Sequence, residues 1–156
     1  MSVIELYVEL KGYDATEITA FQVLKRLGFS ELEKLKRREF YSFGINADAE
    51  KFKEKISAVD LLVNANKHLS SFELDKNSGA VFVKVQNELD DCSRLLKTLK
   101  QRLDFGEIES LKRGILWGLQ LRSKNKLEMV KQITEILLVN KNFQNYQIIK
   151  GNEREK

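Results

Sequence analysis

The sequence predicts an α+β fold made of two tandem β-α-β-α-β repeats. Three observations carry the prediction. Short segments alternate apolar and polar residues as half-buried strands do, and between them lie segments whose apolar residues recur at helical spacing. The third is self-similarity: Leu61-Leu62-Val63-Asn64 returns as Leu137-Leu138-Val139-Asn140, a separation of 137 − 61 = 76 residues in a chain of 156. The register persists upstream. Leu27, Phe29, Glu31, Leu32, Leu35, Lys36 and Arg37 match Leu103, Phe105, Glu107, Ile108, Leu111, Lys112 and Arg113 at the same offset. A match holding over about forty residues without a gap marks a duplication rather than two unrelated amphipathic halves.

Each element follows from its residues. Residues 3–11 alternate, with Ile4, Leu6, Val8 and Leu10 on one side, and Val81, Val83 and Val85 repeat the pattern. A helix follows, capped by Asp14 or Thr16, with Ile18, Phe21, Leu24 and Leu27 as its apolar stripe. Its twin carries Leu95, Leu96, Leu99 and Leu103 behind Asp90 or Asp91. Gly28 suits the helix C-terminus, where a left-handed residue is common. A second strand spans about residues 34–46, and Ile115, Trp117, Leu119 and Leu121 alternate in its counterpart. A second helix runs from about Asp48 to Asn64, burying Phe52, Ile56, Val59 and Leu62; its twin buries Met129, Ile133, Ile136 and Leu137. Asn64 and Asn140 stand where these helices stop, a place asparagine suits by tolerating the left-handed conformation. Short final strands hold Leu69, Phe72 and Leu74, then Phe143, Tyr146 and Ile148.

The repeats are therefore 1–75 and 80–150, joined by a linker at 75–79 and followed by a charged tail at 151–156. Each is too small to bury more than a marginal core alone. Three strands with helices on one face need a cover, and pairing about a pseudo-twofold, with antiparallel sheets completing each other, supplies it. The absence of proline and the count of eight glycines predict short connections.

Composition narrows the function. Apolar residues make 42% and charged residues 32% of the chain, an ordinary globular balance. The alternating N-terminus does not read as a secretory signal, and no apolar run approaches the roughly 18 residues a bilayer-spanning helix needs. With one cysteine, Cys92, the expectation is a cytoplasmic protein without membrane association. The net charge of +4 is spread along the chain, 27 basic residues among 23 acidic ones, which argues against nucleic acid as a partner.

The search for chemistry expects no catalytic residues, no metal site and no cofactor. The single histidine, His68, reads as a turn residue and Cys92 as a small helix residue; they fall in different halves. No Cys/His cluster suits zinc, and no glycine-rich phosphate loop occurs. The basic clusters Lys34, Lys36, Arg37, Arg38 and Lys112, Arg113 are either charges protecting strand ends or a docking patch for acidic protein surfaces. Tyr41 and Trp117 align with each other as core residues, or as interface anchors if exposed.

Taken together, VELKGYD, LKRLGFSELEKLKRREFYSFGI and AVDLLVNANKHLSSFEL in the first half, with LDFGEIESLKRGILWGLQL and EILLVNKNFQNYQII in the second, resemble the PurS family. These are small subunits of phosphoribosylformylglycinamidine (FGAM) synthase, and the resemblance covers nearly the whole chain counted as two copies. Departures occur. Asp14-Ala15-Thr16-Glu17 replaces the family's Asp-Pro-Gln-Gly, Ala65 and Lys141 replace the proline after the signature asparagine, and Arg38-Glu39 and Gly114-Ile115 replace its Gly-Lys. The resemblance implies a non-catalytic adaptor in de novo purine biosynthesis. It would bridge the glutaminase PurQ and the synthetase PurL for ammonia transfer, as a single-chain version of a family dimer and itself a possible homodimer. Its implied partner-interface residues are Lys36, Arg37, Arg38, Lys112, Arg113, Asn64 and Asn140. A ligand-sensing domain pair and an RNA-binding module are the competing readings.

Overall fold

The computed structural model of the chain describes residues 2–76, 78–88 and 92–149. Among the described residues it is α+β, with six strands and four α-helices. The order is β1 (Ser2–Leu10), α1 (Ala15–Arg26), β2 (Leu32–Ile45), α2 (Ala49–Ser57), β3 (His68–Ser71), β4 (Val81–Asn87), α3 (Ser93–Arg102), β5 (Ile108–Leu121), α4 (Lys126–Ile133), a π-helical turn (Thr134–Leu138) and β6 (Gln144–Ile149). The sheet runs β3-β1-β2-β5-β4-β6. Asp90 and Asp91, the candidate caps of a helix, Asn77 of the linker and the charged tail 151–156 lie outside the described residues.

Packing groups these elements differently from chain order. One compact unit comprises Met1–Gly12, Glu39–Glu73 and Asp90–Gly114; the other comprises Tyr13–Arg38, Leu74–Leu89 and Ile115–Lys156. Neither is contiguous. The reason lies in β2 and β5, each of 14 residues. At about 3.3 Å per residue such a strand is longer than one small core can cover, and each contributes one part to each unit.

In the first unit β1 lies between β3 and β2, with Ile4 opposite Phe43 and Leu6 opposite Tyr41. Alternation turns Ile4, Leu6 and Val8 with Tyr41, Phe43 and Ile45 into one buried cluster, which α2 joins through Phe52 and Ile56. Leu99 of α3 and Phe105 complete it, although they come from the later half of the chain. The rings of Phe43 and Phe52 meet edge-on at 5.3 Å, and those of Phe52 and Phe105 at 5.9 Å. The Asn46 amide donates to the Glu107 carbonyl at 3.0 Å, tying the end of β2 to the start of β5.

In the second unit Val81, Val83 and Val85 of β4 cluster with Leu119 and Leu121 of β5, Leu32 of β2, and Val130 and Ile133 of α4. Ala20 and Leu24 of α1, an element of the earlier half, fill the same core. Arg122 donates its amide to the Glu31 carbonyl at 2.9 Å. The first helix of each half is thus built into the unit that holds the other half's first strand.

The helix stripes differ from expectation in instructive ways. Leu24 is fully buried, but Leu27 is 54% exposed; Leu99 is fully buried, but Leu103 is 38% exposed. Both exposed leucines are C-caps, beyond the last full turn. Beyond them Gly28 and Asp104 take positive φ, +100° and +61°, and turn the chain aside. In the last helix Ile136 and Leu137 point outward while Val130 and Leu138 are buried. The π-turn is wider than an α-turn and shifts which side chains meet the core. Helix α2 stops at Ser57, well before Asn64, and the Ser57 hydroxyl donates to the Glu54 carbonyl at 3.0 Å, competing with helix continuation. Strand β3 closes at Ser71, leaving Phe72 and Leu74 outside it.

Candidate functional site

Helix α1 begins where Asp14 leaves the extended conformation and accepts the Glu17 amide at 3.1 Å, so Asp14 rather than Thr16 is the cap. Asp14 is only 5% exposed, and a buried carboxylate needs compensation. It comes from β2: Arg37 Nη1 lies 3.5 Å from Asp14 Oδ2. Glu17 extends the arrangement, its Oε1 accepting the Arg37 amide at 2.8 Å and lying 3.6 Å from Lys36 Nζ. Two acids at the positive end of the helix dipole thus meet two bases on the strand.

Beside this charged lip, in the same unit, a groove of about 440 Å³ opens along α1. Ala15, Thr16, Thr19, Ala20 and Val23 form one wall, with Trp117, Leu137 and Leu138 around the rest. The sequence offers a signal for it: α1 carries small residues where a helix packed tightly at its start would carry large ones. What sequence reasoning missed is the role of Leu137, taken for core, as a wall. Trp117 is 7% exposed and borders the groove from within the core. Chemically the groove is an apolar receptacle with two hydroxyls and no ionisable wall; it can hold an apolar or aromatic body and donate hydrogen bonds to it.

The other singled-out residues fall elsewhere. Arg38 shares β2 with Lys36 and Arg37, and its guanidinium reaches the space over Gly118, where a Cβ would lie 3.3 Å from Phe82 and 3.7 Å from Arg38 Nη1. Lys112 and Arg113 are exposed on β5 in the first unit. Tyr41, in that same unit, has its phenol pushed up to about 12, first by burial and then by Glu39, whose carboxylate accepts its hydroxyl proton at 3.3 Å; Arg113 opposes the shift.

Asn64 and Asn140 open one turn in two places. The Asn64 side chain accepts the Asn66 amide at 3.0 Å, its carbonyl accepts His68 at 2.8 Å, and its own amide donates to His68 Nδ1 at 3.0 Å. The Asn140 side chain accepts Asn142 at 3.1 Å, its carbonyl accepts Gln144 at 2.8 Å, and its amide donates to Gln144 Oε1 at 2.9 Å. This corrects the left-handed reason for both asparagines and the helix-stop position of Asn64, since α2 ends at Ser57; Asn140 does follow the end of its helical segment at Leu138. Cys92 and Asp104 are the non-glycine residues with positive φ among those described, so neither asparagine is left-handed. Each instead supplies a side-chain oxygen that mimics a backbone turn and leads into the following strand. His68, which stands where Gln144 stands in the other half, is the turn acceptor.

Cys92 is buried at the N-cap of α3 with φ of 58°. Among the described residues, no three or more His, Cys, Asp or Glu side chains come together as a metal would require, and no helix is long and apolar enough to cross a membrane. No family model matches the chain, and no curated protein matches it.

Proposed function

We propose that the chain is a fused pair of PurS-like repeats, 1–75 and 80–150, related by a pseudo-twofold with the helices of each on one face. In this reading it is a non-catalytic, cytoplasmic adaptor of FGAM synthase, bridging the glutaminase PurQ and the synthetase PurL so that ammonia passes between them. The observation that carries the reading is the recurrence, 76 residues apart, of the family-like Leu-Leu-Val-Asn segment in one turn geometry. The order of strands and helices, repeated once along the chain, supports it. Fusion fits an adaptor, because a covalent link turns the pairing of two copies into an intramolecular step at high effective concentration.

The test is reconstitution with the glutaminase and synthetase of the same organism. The adaptor reading expects the three proteins to co-elute and FGAM synthesis from glutamine to depend on this chain. Glutamine-dependent synthesis that runs equally well without it ends the reading.

The groove favours a second reading, a ligand-sensing domain pair. Trp117, the chain's single tryptophan, borders it, so an amino acid or nucleotide that seats its apolar side chain or base there would change the intrinsic fluorescence and raise the melting temperature without any protein partner.

A further inference from the structure

We propose that β6 is a homotypic docking edge, pairing antiparallel with β6 of a second copy of this chain. The two outer strands of the sheet are β3 and β6, and they are protected very differently. An open edge presents unpaired amides and carbonyls, and proteins commonly blunt it by shortening the strand or charging it. Strand β3 has four residues, whereas β6 has six, Gln144-Asn145-Tyr146-Gln147-Ile148-Ile149, with no charge and no proline among them.

The ladder shows which groups are open. Pairing of β6 with β4 sets Phe82 opposite Ile149 and Gln86 opposite Asn145, and Glu88 donates its amide to the Phe143 carbonyl at 2.8 Å in the same register. Hydrogen-bonded pairs alternate along an antiparallel ladder. Asn145, Gln147 and Ile149 therefore direct their backbone groups to β4, while Gln144, Tyr146 and Ile148 direct theirs outward. The Gln144 amide is taken by the Asn140 carbonyl at 2.8 Å, leaving Tyr146 and Ile148 open among the described residues. The same reasoning on β3, where Lys11 donates to the Lys67 carbonyl and the His68 amide is taken by Asn64, leaves one open amide, Ser70.

A second β6 satisfies this edge in one symmetric register. With Gln147 opposite Gln147 of the second copy, Tyr146 stands opposite Ile148 of the second copy, and the reverse. Both residues of each such pair point outward, so each exchanges two backbone hydrogen bonds and every open amide is used. Tyr146 beside Ile148 is an aromatic–β-branched pair of the kind that stabilises sheets. No like charges face each other, and the interface is self-complementary, as a twofold requires. This inference stands apart from the adaptor reading; failure of reconstitution with the two enzymes would leave it untouched.

Sedimentation of the full chain over a wide concentration range, alone and as charge variants, tests it. Wild-type protein is expected to pass from one chain to two as concentration rises. Gln147→Lys and Gln147→Glu, exposed positions that oppose their own copies in the dimer, are each expected to weaken self-association several-fold, and their equal mixture to restore it. A single-chain mass at every concentration, or a dimer indifferent to both variants and their mixture, overturns the proposal. Amide exchange on the wild type guards against misfolded variants: the Tyr146 and Ile148 amides should exchange more slowly in concentrated than in dilute solution, and equal rates would also overturn it.

Discussion

Arg37 holds the carboxylate of Asp14 from across the start of α1, Nη1 to Oδ2 at 3.5 Å, while the other oxygen of that carboxylate caps the helix. A basic residue singled out as a docking candidate is thereby committed to an internal task. Asp14→Ala removes the cap and leaves Arg37 without this acid, and should cost about 1–2 kcal/mol in urea denaturation. Asp14→Asn keeps the capping oxygen and should recover the larger part of that loss. Equal losses in the two variants would assign the stabilisation to charge rather than capping.

The turn at Asn64 separates two accounts of one residue. If a left-handed conformation were its purpose, Asn64→Gly would be neutral or stabilising. The observed side-chain bond to Asn66 predicts instead that Asn64→Gly and Asn64→Ala both destabilise by about 1 kcal/mol. His68→Gln should be nearly silent, because Gln144 already does that work in the other half, while His68→Leu should not be. Thermal melts of the four variants decide it.

Leucines that look alike in sequence should behave unlike one another. Leu24→Ala and Leu99→Ala, both fully buried, should each cost about 2–5 kcal/mol, whereas Leu27→Ala and Leu103→Ala should cost about 0.5 kcal/mol or little more. Denaturant midpoints of the four proteins measure the contrast.

Tyr41 gives the fold an alkaline limit. Its folded phenol is held up to about 12, above the ordinary value of 10.0, because burial and Glu39 disfavour the phenolate. A raised folded pKa contributes stability that is complete below pH 10 and is lost as pH climbs through the folded value. Tyr7, pushed the same way by burial and by its hydrogen bond to Glu5, adds to the loss. Stability measured by urea at rising pH should therefore fall between about pH 10 and 12. Tyr41→Phe should make that fall shallower; an unchanged slope would remove Tyr41 from the explanation.

Much of this fold was legible in the sequence because strands and helices announce themselves by period. The alternation of Ile4, Leu6 and Val8 and of Val81, Val83 and Val85 located β1 and β4, and Asp14 was visible as one of two candidate caps, Thr16 being the other. The ends of helices were not legible. Leu27 and Leu103 continue an apolar spacing past the residue where the backbone stops being helical, and the π-turn at Thr134–Leu138 changes which residues face inward without any mark in the apolar spacing. Nor could the grouping of elements be read. Periodicity says which face of α1 is apolar and nothing about which strands that face meets. Of the candidate site, the charges at Lys36 and Arg37 were visible, but their acids at Asp14 and Glu17 lie about twenty residues away and only the fold brings them near. The small residues at the start of α1 hinted at the groove, but its other wall, at Leu137 and Leu138 of the π-turn, had no signature of its own.

The central claim is that each compact unit is assembled from both halves of the chain, α1 entering the second and α3 the first. A protease site placed in the linker at residues 75–79, cut in the folded protein, tests it most directly. The account predicts that the two fragments stay together through gel filtration, keep the far-ultraviolet spectrum of the intact chain and separate only on unfolding. Two fragments that part under native conditions, each folded and monomeric, would contradict it.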